Sequence, residues 1–180
     1  MRMKPSLDFG DAAAIAAACR AAAERAGARV AIAVVDDAGG LLHLQRLDGA
    51  KAHAADLAHR KARTAAAIGL STAVLEQMTK EGRLEGTDVL ALGGGLPVVR
   101  EGECAGAVGV SGATSDVDEQ VAEAGLRSGP GAETREVAEG LNIDFDASGA
   151  VVGLDIDHAS RLDLATLETV ALPVTATRAA

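Results

Sequence analysis

Residues 104–112, CAGAVGVSG, impose the tightest limit on how this chain can fold. Glycine and alanine alternate there with valine, so the segment reads as a strand whose small side chains admit the close approach of a helix or a ligand. The first helical stretch has a matching composition. It is expected over residues 9–26, opened by Asp8 as N-cap with Asp11 three residues on, and stopped by Gly27. Its inward stripe, Ile15, Ala18 or Cys19, and Ala22, is made mostly of small side chains, so whatever it packs on must lie near. Aromatic residues are almost missing: Phe9 and Phe145 stand without any Trp or Tyr. That removes the stacking surfaces on which single-stranded nucleic-acid binders and quaternary-ammonium cages depend.

The other elements follow from period and punctuation. VAIAVVD, residues 30–36, is apolar on both alternating faces, as an inner strand should be. DAGG at 37–40 turns the chain into LLHLQRL at 41–47, where Leu42, Leu44 and Arg46 share one face and Leu41, His43, Gln45 and Leu47 the other. A helix is expected over 51–68, closed by Gly69, with Leu57, Lys61, Thr64 and Ile68 facing inward, and a short helix capped by Ser71 follows to about Met78. VLALGGGLPVVR at 89–100 is a glycine-rich loop feeding a strand, and EGE turns it into the strand at 104–112. Thr114 or Ser115 caps a last helix whose first turn carries Asp116, Asp118 and Glu119.

Beyond residue 128 the composition changes. RSGPGAETRE, residues 127–136, reads as a linker, and the segment from Leu141 to Ile156 as a β-hairpin pairing Leu141, Ile143 and Phe145 with Val151, Leu154 and Ile156. Its wet face carries Asp144, Asp146, Asp155 and Asp157, which lack the loop spacing of a calcium site. Residues 133–170 hold nine acids against two bases, a large share of the net charge of −9. A surface so acidic repels phosphate backbones and anionic headgroups, so neither nucleic acid nor membrane is an expected partner. The basic start and alanine run ending at Cys19 imitate a lipoprotein signal, but Asp8 and Asp11 interrupt the apolar stretch. With Cys19 and Cys104 far apart and unpaired in any metal spacing, a cytoplasmic protein with two reduced thiols is expected.

Three stretches, VAIAVVDDAGGLLHLQRLDGA, RKARTAAAIG and GGGLPVVREGECAGAVGVSGATSDVDEQVAEAGL, together resemble the GlcG/HbpS family, also called the haem-degrading domain or PduO C-terminal-like family, over residues 6–128. Residues 136–174 are similar to the second half of the small DUF2283 β-domain, joined by a linker at 129–135. The resemblance implies an α+β fold, an antiparallel sheet flanked by helices in a profilin-like sandwich, here with a small C-terminal β-hairpin appendage. It also implies a homo-oligomer, from dimer to octamer, with a ligand cleft near a subunit interface. Haem or corrinoid is the cofactor the resemblance suggests, with His43, His53 and His59 the candidate axial ligands.

Within that frame the RLDGA loop, the glycine-rich loop and the GVSGAT turn are expected to converge on one cleft, lined by Arg46, Asp48, Gly94, Gly95, Ser111, Gly112 and Thr114. Arg46 can grip a carboxylate with both arms of its guanidinium, or close an internal ion pair with Asp48 or Asp56. The turn from Ser111 to Thr114 can seat an anionic oxygen on free backbone N–H groups, or simply be capped by the acids of the following helix. Gly93, Gly94 and Gly95 lack the lysine and hydroxyl of a phosphate loop and serve as a bend. His53 and Asp56, three apart on a helix, can act as an acid–base pair or stand solvated, whereas His59 lies ~120° round from His53 and spoils chelation, so no metal site is expected. Cys104, without a neighbouring base, is no nucleophile. Two functions are compatible with these residues. The first is a binding protein for a small anionic metabolite or a tetrapyrrole. The second is a cofactor-independent isomerase, lyase or hydrolase, in which Arg46 holds a carboxylate while His53 or Asp56 moves a proton.

Overall fold

The computed structural model describes residues 4–84, 89–100 and 102–127, and the backbone of three further strands between residues 133 and 156. In chain order the first segment carries α1 (Phe9–Arg25), β1 (Ala31–Asp36), β2 (Leu41–Arg46), α2 (His53–Ile68), α3 (Thr72–Lys80), β3 (Gly95–Arg100), β4 (Glu103–Ser111) and α4 (Ser115–Arg127). The four strands form one antiparallel sheet in the order β2-β1-β4-β3, so the two most apolar strands are the inner ones.

Local chemistry accounts for the ends of these elements. Asp8 and Asp11 form a capping box on α1: the Asp11 N–H donates to Asp8 Oδ1 at 2.9 Å and the Asp8 N–H to Asp11 Oδ2 at 3.2 Å. Asp11 also holds Arg100 of β3 at 2.8 Å, and that guanidinium keeps its carboxyl below the ordinary range. Between β1 and β2, Asp36 Oδ1 accepts the N–H groups of Ala38 at 2.9 Å and Gly40 at 2.7 Å, while Gly39 supplies the positive φ of 82° that the turn needs.

The sheet divides the core into two layers of unlike composition. On one face α1 and α4 bury Ile15, Cys19 and Val121 against Val30, Ile32, Val34, Val108 and Val110. On the other, α2 lays Ala54, Ala58, Ala62, Ala65 and Ala66 against Ala31, Ala33, Val35 and Ala107. The expected inward stripe of α2 is therefore rotated: of Leu57, Lys61, Thr64 and Ile68 only Lys61 is buried, and the contact is made by alanines. The cause lies in β4, where a Cβ on Gly109 would run into the Ala58 carbonyl oxygen and stand 2.6 Å from the Ala62 nitrogen. Backbone touches backbone there, and no leucine fits between.

A second, three-stranded sheet follows: β5 (Glu133–Ala138), β6 (Leu141–Phe145) and β7 (Val151–Ile156). β6 and β7 form the expected hairpin between these residues, with Leu141 opposite Ile156, Ile143 opposite Leu154 and, after a register shift between Asp144 and Phe145, Phe145 opposite Val151. β5 was not expected. It begins at Glu133, inside the stretch read as linker, and pairs antiparallel with β6. The side chains of Asp144 and Asp155, together with Asp146 and Asp157, lie outside the described residues.

Candidate functional site

The glycine-rich loop closes over a buried ion pair. Lys61 of α2 and Asp118 of α4 meet at 2.8 Å with only 3% of either side chain exposed. Lys61 Nζ also donates to the Val110 carbonyl at 2.9 Å, and Asp118 Oδ1 accepts the Ala113 N–H at 3.0 Å. Charges this deep are tolerated only when paired and hydrogen-bonded on every side, and three elements supply those partners. Gly94 and Gly95 exist to make room for them. A Cβ on Gly94 would lie 2.7 Å from the Val110 oxygen and 3.1 Å from Lys61 Nζ, and one on Gly95 would lie 2.6 Å from the Lys61 oxygen. Thr72, fully buried, accepts the Gly95 N–H at 2.8 Å and ties α3 to the same corner.

This arrangement decides what the Ser111–Thr114 turn can do. Ser111 is buried, while Gly112 and Thr114 are exposed. The Ala113 N–H, one of the donors of the turn, is taken by Asp118. Asp118, an acid of the following helix, thus caps one backbone N–H of the turn.

Behind Gly93 stands a pair of carboxylates. Glu76 accepts the Gly93 N–H at 2.7 Å, and Glu119 accepts the Ser71 hydroxyl at 2.7 Å. The Lys80 ammonium at 2.8 Å and the Gly93 N–H hold the Glu76 carboxyl down to about 2, against the upward push of burial. A depressed carboxyl stabilises the fold above its unfolded value, near 4.5, and that contribution fades as pH falls towards 2. Glu76→Gln is therefore expected to lower stability at neutral pH and to converge with the parent as pH drops through that window. Urea unfolding at a series of pH values checks it; a constant difference at every pH would count against the pairing.

Arg46 sits elsewhere. On the sheet it faces Ala31, and Ser111 faces Ala31 from the other side, so the two residues share a face two strands apart. Yet Arg46 is exposed, at the free edge of β2, and neither Asp48 nor Asp56 pairs with it; its Nη1 donates to the Ala50 carbonyl at 2.8 Å. It lines an open hollow of about 430 Å3 together with Asp48 and Leu47, and with Arg20 and Glu24 of α1. Gly94, Gly95 and the Ser111–Thr114 turn do not line that hollow. His53 and Asp56 are exposed on α2, and Asp56 faces Arg60 at 3.9 Å. His59 is half-buried, and its Nε2 has no hydrogen-bond partner among the described residues. Cys104 Sγ donates to the Gly106 carbonyl at 3.2 Å, and burial pushes the Cys19 thiol up to about 12, so Cys19 is not set up as a nucleophile.

Sequence reasoning placed Lys61 inward but missed its partner and the acids behind Gly93. The available signal was a lone lysine on an alanine face and an excess of acids in the first turn of α4; only the fold shows that they meet.

A four-stranded antiparallel sheet clad by helices on both faces, with polar hollows at its rim, defines a small α+β sandwich protein. The chain belongs to the HbpS-like family: residues 7–127 match the model of the haem degrading protein HbpS-like family. Residues 116–160 also match DUF2283, a family of unknown function. Protein GlcG of Escherichia coli K12 is 42% identical over 114 residues, which cover 62% of this chain and 85% of GlcG. A double mutant of Streptomyces reticuli HbpS superposes with a TM-score of 0.64 at 37% identity, covering 69% of this chain and 88% of HbpS. A PduOC:heme complex superposes with a TM-score of 0.65 at 26% identity, covering 68% of this chain and 94% of that one. No described helix is long and apolar enough to cross a membrane.

Proposed function

We propose that this chain is a binding protein for a small anionic metabolite, held in the hollow beside Arg46 near an interface between copies of the chain. The observation that carries this reading is that two guanidinium groups from separate elements, Arg20 of α1 and Arg46 of β2, border one open hollow. Arg46 spends one donor on Ala50, which fixes its arm, and a guanidinium has donors to spare for a carboxylate. Arg20 is only loosely engaged, 3.8 Å from Glu24. Glu24 and Asp48 on the same rim would accept hydrogen bonds from hydroxyl or amine groups of the ligand.

Kinship with a protein solved as a heme complex brings haem or corrinoid to this chain as a second ligand class. The Arg46 hollow does not suit it. Its lining of Arg20, Glu24, Ala28, Gln45, Leu47 and Asp48 offers charge where a macrocycle needs an apolar slot, and no histidine, cysteine, methionine or tyrosine to hold iron. A homo-oligomer is supported by Leu41 and Leu44, 46% and 44% exposed on edge strand β2, and by Val99, 58% exposed on the opposite edge strand β3.

Native mass spectrometry of freshly purified protein reads the retained ligand and the subunit count together. The expected spectrum is an oligomer carrying a small acid, with Arg46→Ala keeping the subunit count but losing the added mass. A bare monomer, or a ligand retained undiminished by the variant, would overturn the proposal. So would a Soret shift at micromolar haem that Arg46→Ala leaves intact, since the ligand would then be a tetrapyrrole seated elsewhere.

A further inference from the structure

A second hollow, of about 330 Å3, opens at the other end of β1, between the β1–β2 turn and the outer side of α2. Arg60, Arg63 and Thr64 line it from α2, and Asp37, Ala38 and Gly39 from the turn. Residues three apart on a helix lie ~60° from each other round the axis, so the two arginines reach into the same space from adjacent rows.

The charges around this hollow are unequally matched. Asp36 is committed to the turn N–H groups of Ala38 and Gly40. Asp37 is held by Lys4 at 3.1 Å, and Lys4 and Ser6 together keep its carboxyl below the ordinary range. Arg60 has Asp56 at 3.9 Å, a loose pair in which both side chains are more than half exposed. Arg63 forms no hydrogen bond or ion pair with any described residue. Its stem runs beside the turn, where a Cβ on Gly39 would stand 3.7 Å from Arg63 Cγ, and its guanidinium has no partner among the described residues.

The floor gives the ligand its shape. Ala67, Val89 and Leu90 contribute apolar surface beside the arginines. The two arginines stand side by side at one end and apolar surface lies at the other, so the hollow matches one carboxylate with an apolar tail better than an anion charged at both ends. We infer that this hollow is a binding site for a small monocarboxylate, its carboxylate gripped by Arg63 with Arg60 alongside and its short hydrocarbon end laid on Ala67 and Leu90. The site is separate from the Arg46 hollow and shares no lining residue with it.

Titrating the full chain with butanoate, followed by protein-observed NMR, tests the inference, with succinate and inorganic phosphate as parallel probes. Butanoate is expected to saturate, shifting amides of the β1–β2 turn and the centre of α2. Arg63→Ala should weaken it at least about tenfold, the loss expected when a charge-assisted hydrogen-bonding partner is removed, and Arg46→Ala should leave it unchanged. Ala67→Leu, which fills the floor without touching either charge, should weaken butanoate as well. Absence of saturable butanoate binding, equal affinity in Arg63→Ala, or stronger binding of phosphate or succinate than of butanoate would each overturn the assignment. Loss of butanoate binding in Arg46→Ala with Arg63→Ala unaffected would overturn it too, while supporting the Arg46 hollow as the anion site.

Discussion

Lys61→Met is expected to cost the fold about 3–5 kcal/mol, a fall in melting temperature on the order of 10–20 °C for a domain of this size. The substitution keeps the volume of the lysine stem but leaves the Asp118 carboxylate buried without its cation. Its remaining partner, the Ala113 N–H, satisfies one oxygen only. The Val110 carbonyl loses a donor in the same stroke. Removing both charges should behave differently: Lys61→Met with Asp118→Leu is expected to recover most of the loss, because apolar side chains of similar size replace the pair in place. Thermal and urea unfolding followed by circular dichroism measure both variants. A single variant within about 1 kcal/mol of the parent would show that water reaches Asp118, because an exposed pair is worth no more than that.

Gly109→Ala is expected to approach the same size of effect from a single methyl group, about 3 kcal/mol, at the upper end for overpacking a core. The new Cβ would meet the Ala58 carbonyl and the Ala62 nitrogen, which are backbone atoms of α2 and cannot swing aside as a side chain would. The helix must lift, and with it the whole alanine layer over Ala31, Ala33 and Ala107. Gly102→Ala is the matching control. Its φ of 77° is costly for alanine, but nothing stands within 4 Å of the added methyl, so about 1–2 kcal/mol is expected from backbone strain alone. If the two substitutions cost the same in urea unfolding, close contact between α2 and β4 is not what limits position 109.

What could be read without coordinates was whatever depends on neighbours in sequence. The Asp8–Asp11 capping box, the turn at Asp37 to Gly40, Ser71 as the cap of α3 and the hairpin of Leu141–Phe145 with Val151–Ile156 each rest on a few consecutive residues or a period of two. The rotation of α2 did not show itself, because leucine and isoleucine outweigh alanine in any hydrophobic pattern, whereas the glycine that excludes them sits 47 positions from Ala62. The partner of Lys61 is 57 residues away, on another helix. For the site, the residues singled out were real landmarks with separate surroundings. Gly94, Gly95 and Ser111 surround a buried charge pair, Arg46 borders an open rim, and His53 and Asp56 stand on an exposed helix face. Residue types named these groups, but only the fold could sort them into different places.

The seam of alanine and glycine beneath α2 has a consequence for how such a protein can change over time. Because added bulk on that underside would meet backbone, the helix is a fixed rail, and side chains along its outer side can change without moving the sheet. Chemistry can thus be swapped on one side while the scaffold beneath stays frozen, so descendants of one ancestor could come to hold quite different small molecules with nearly superimposable backbones.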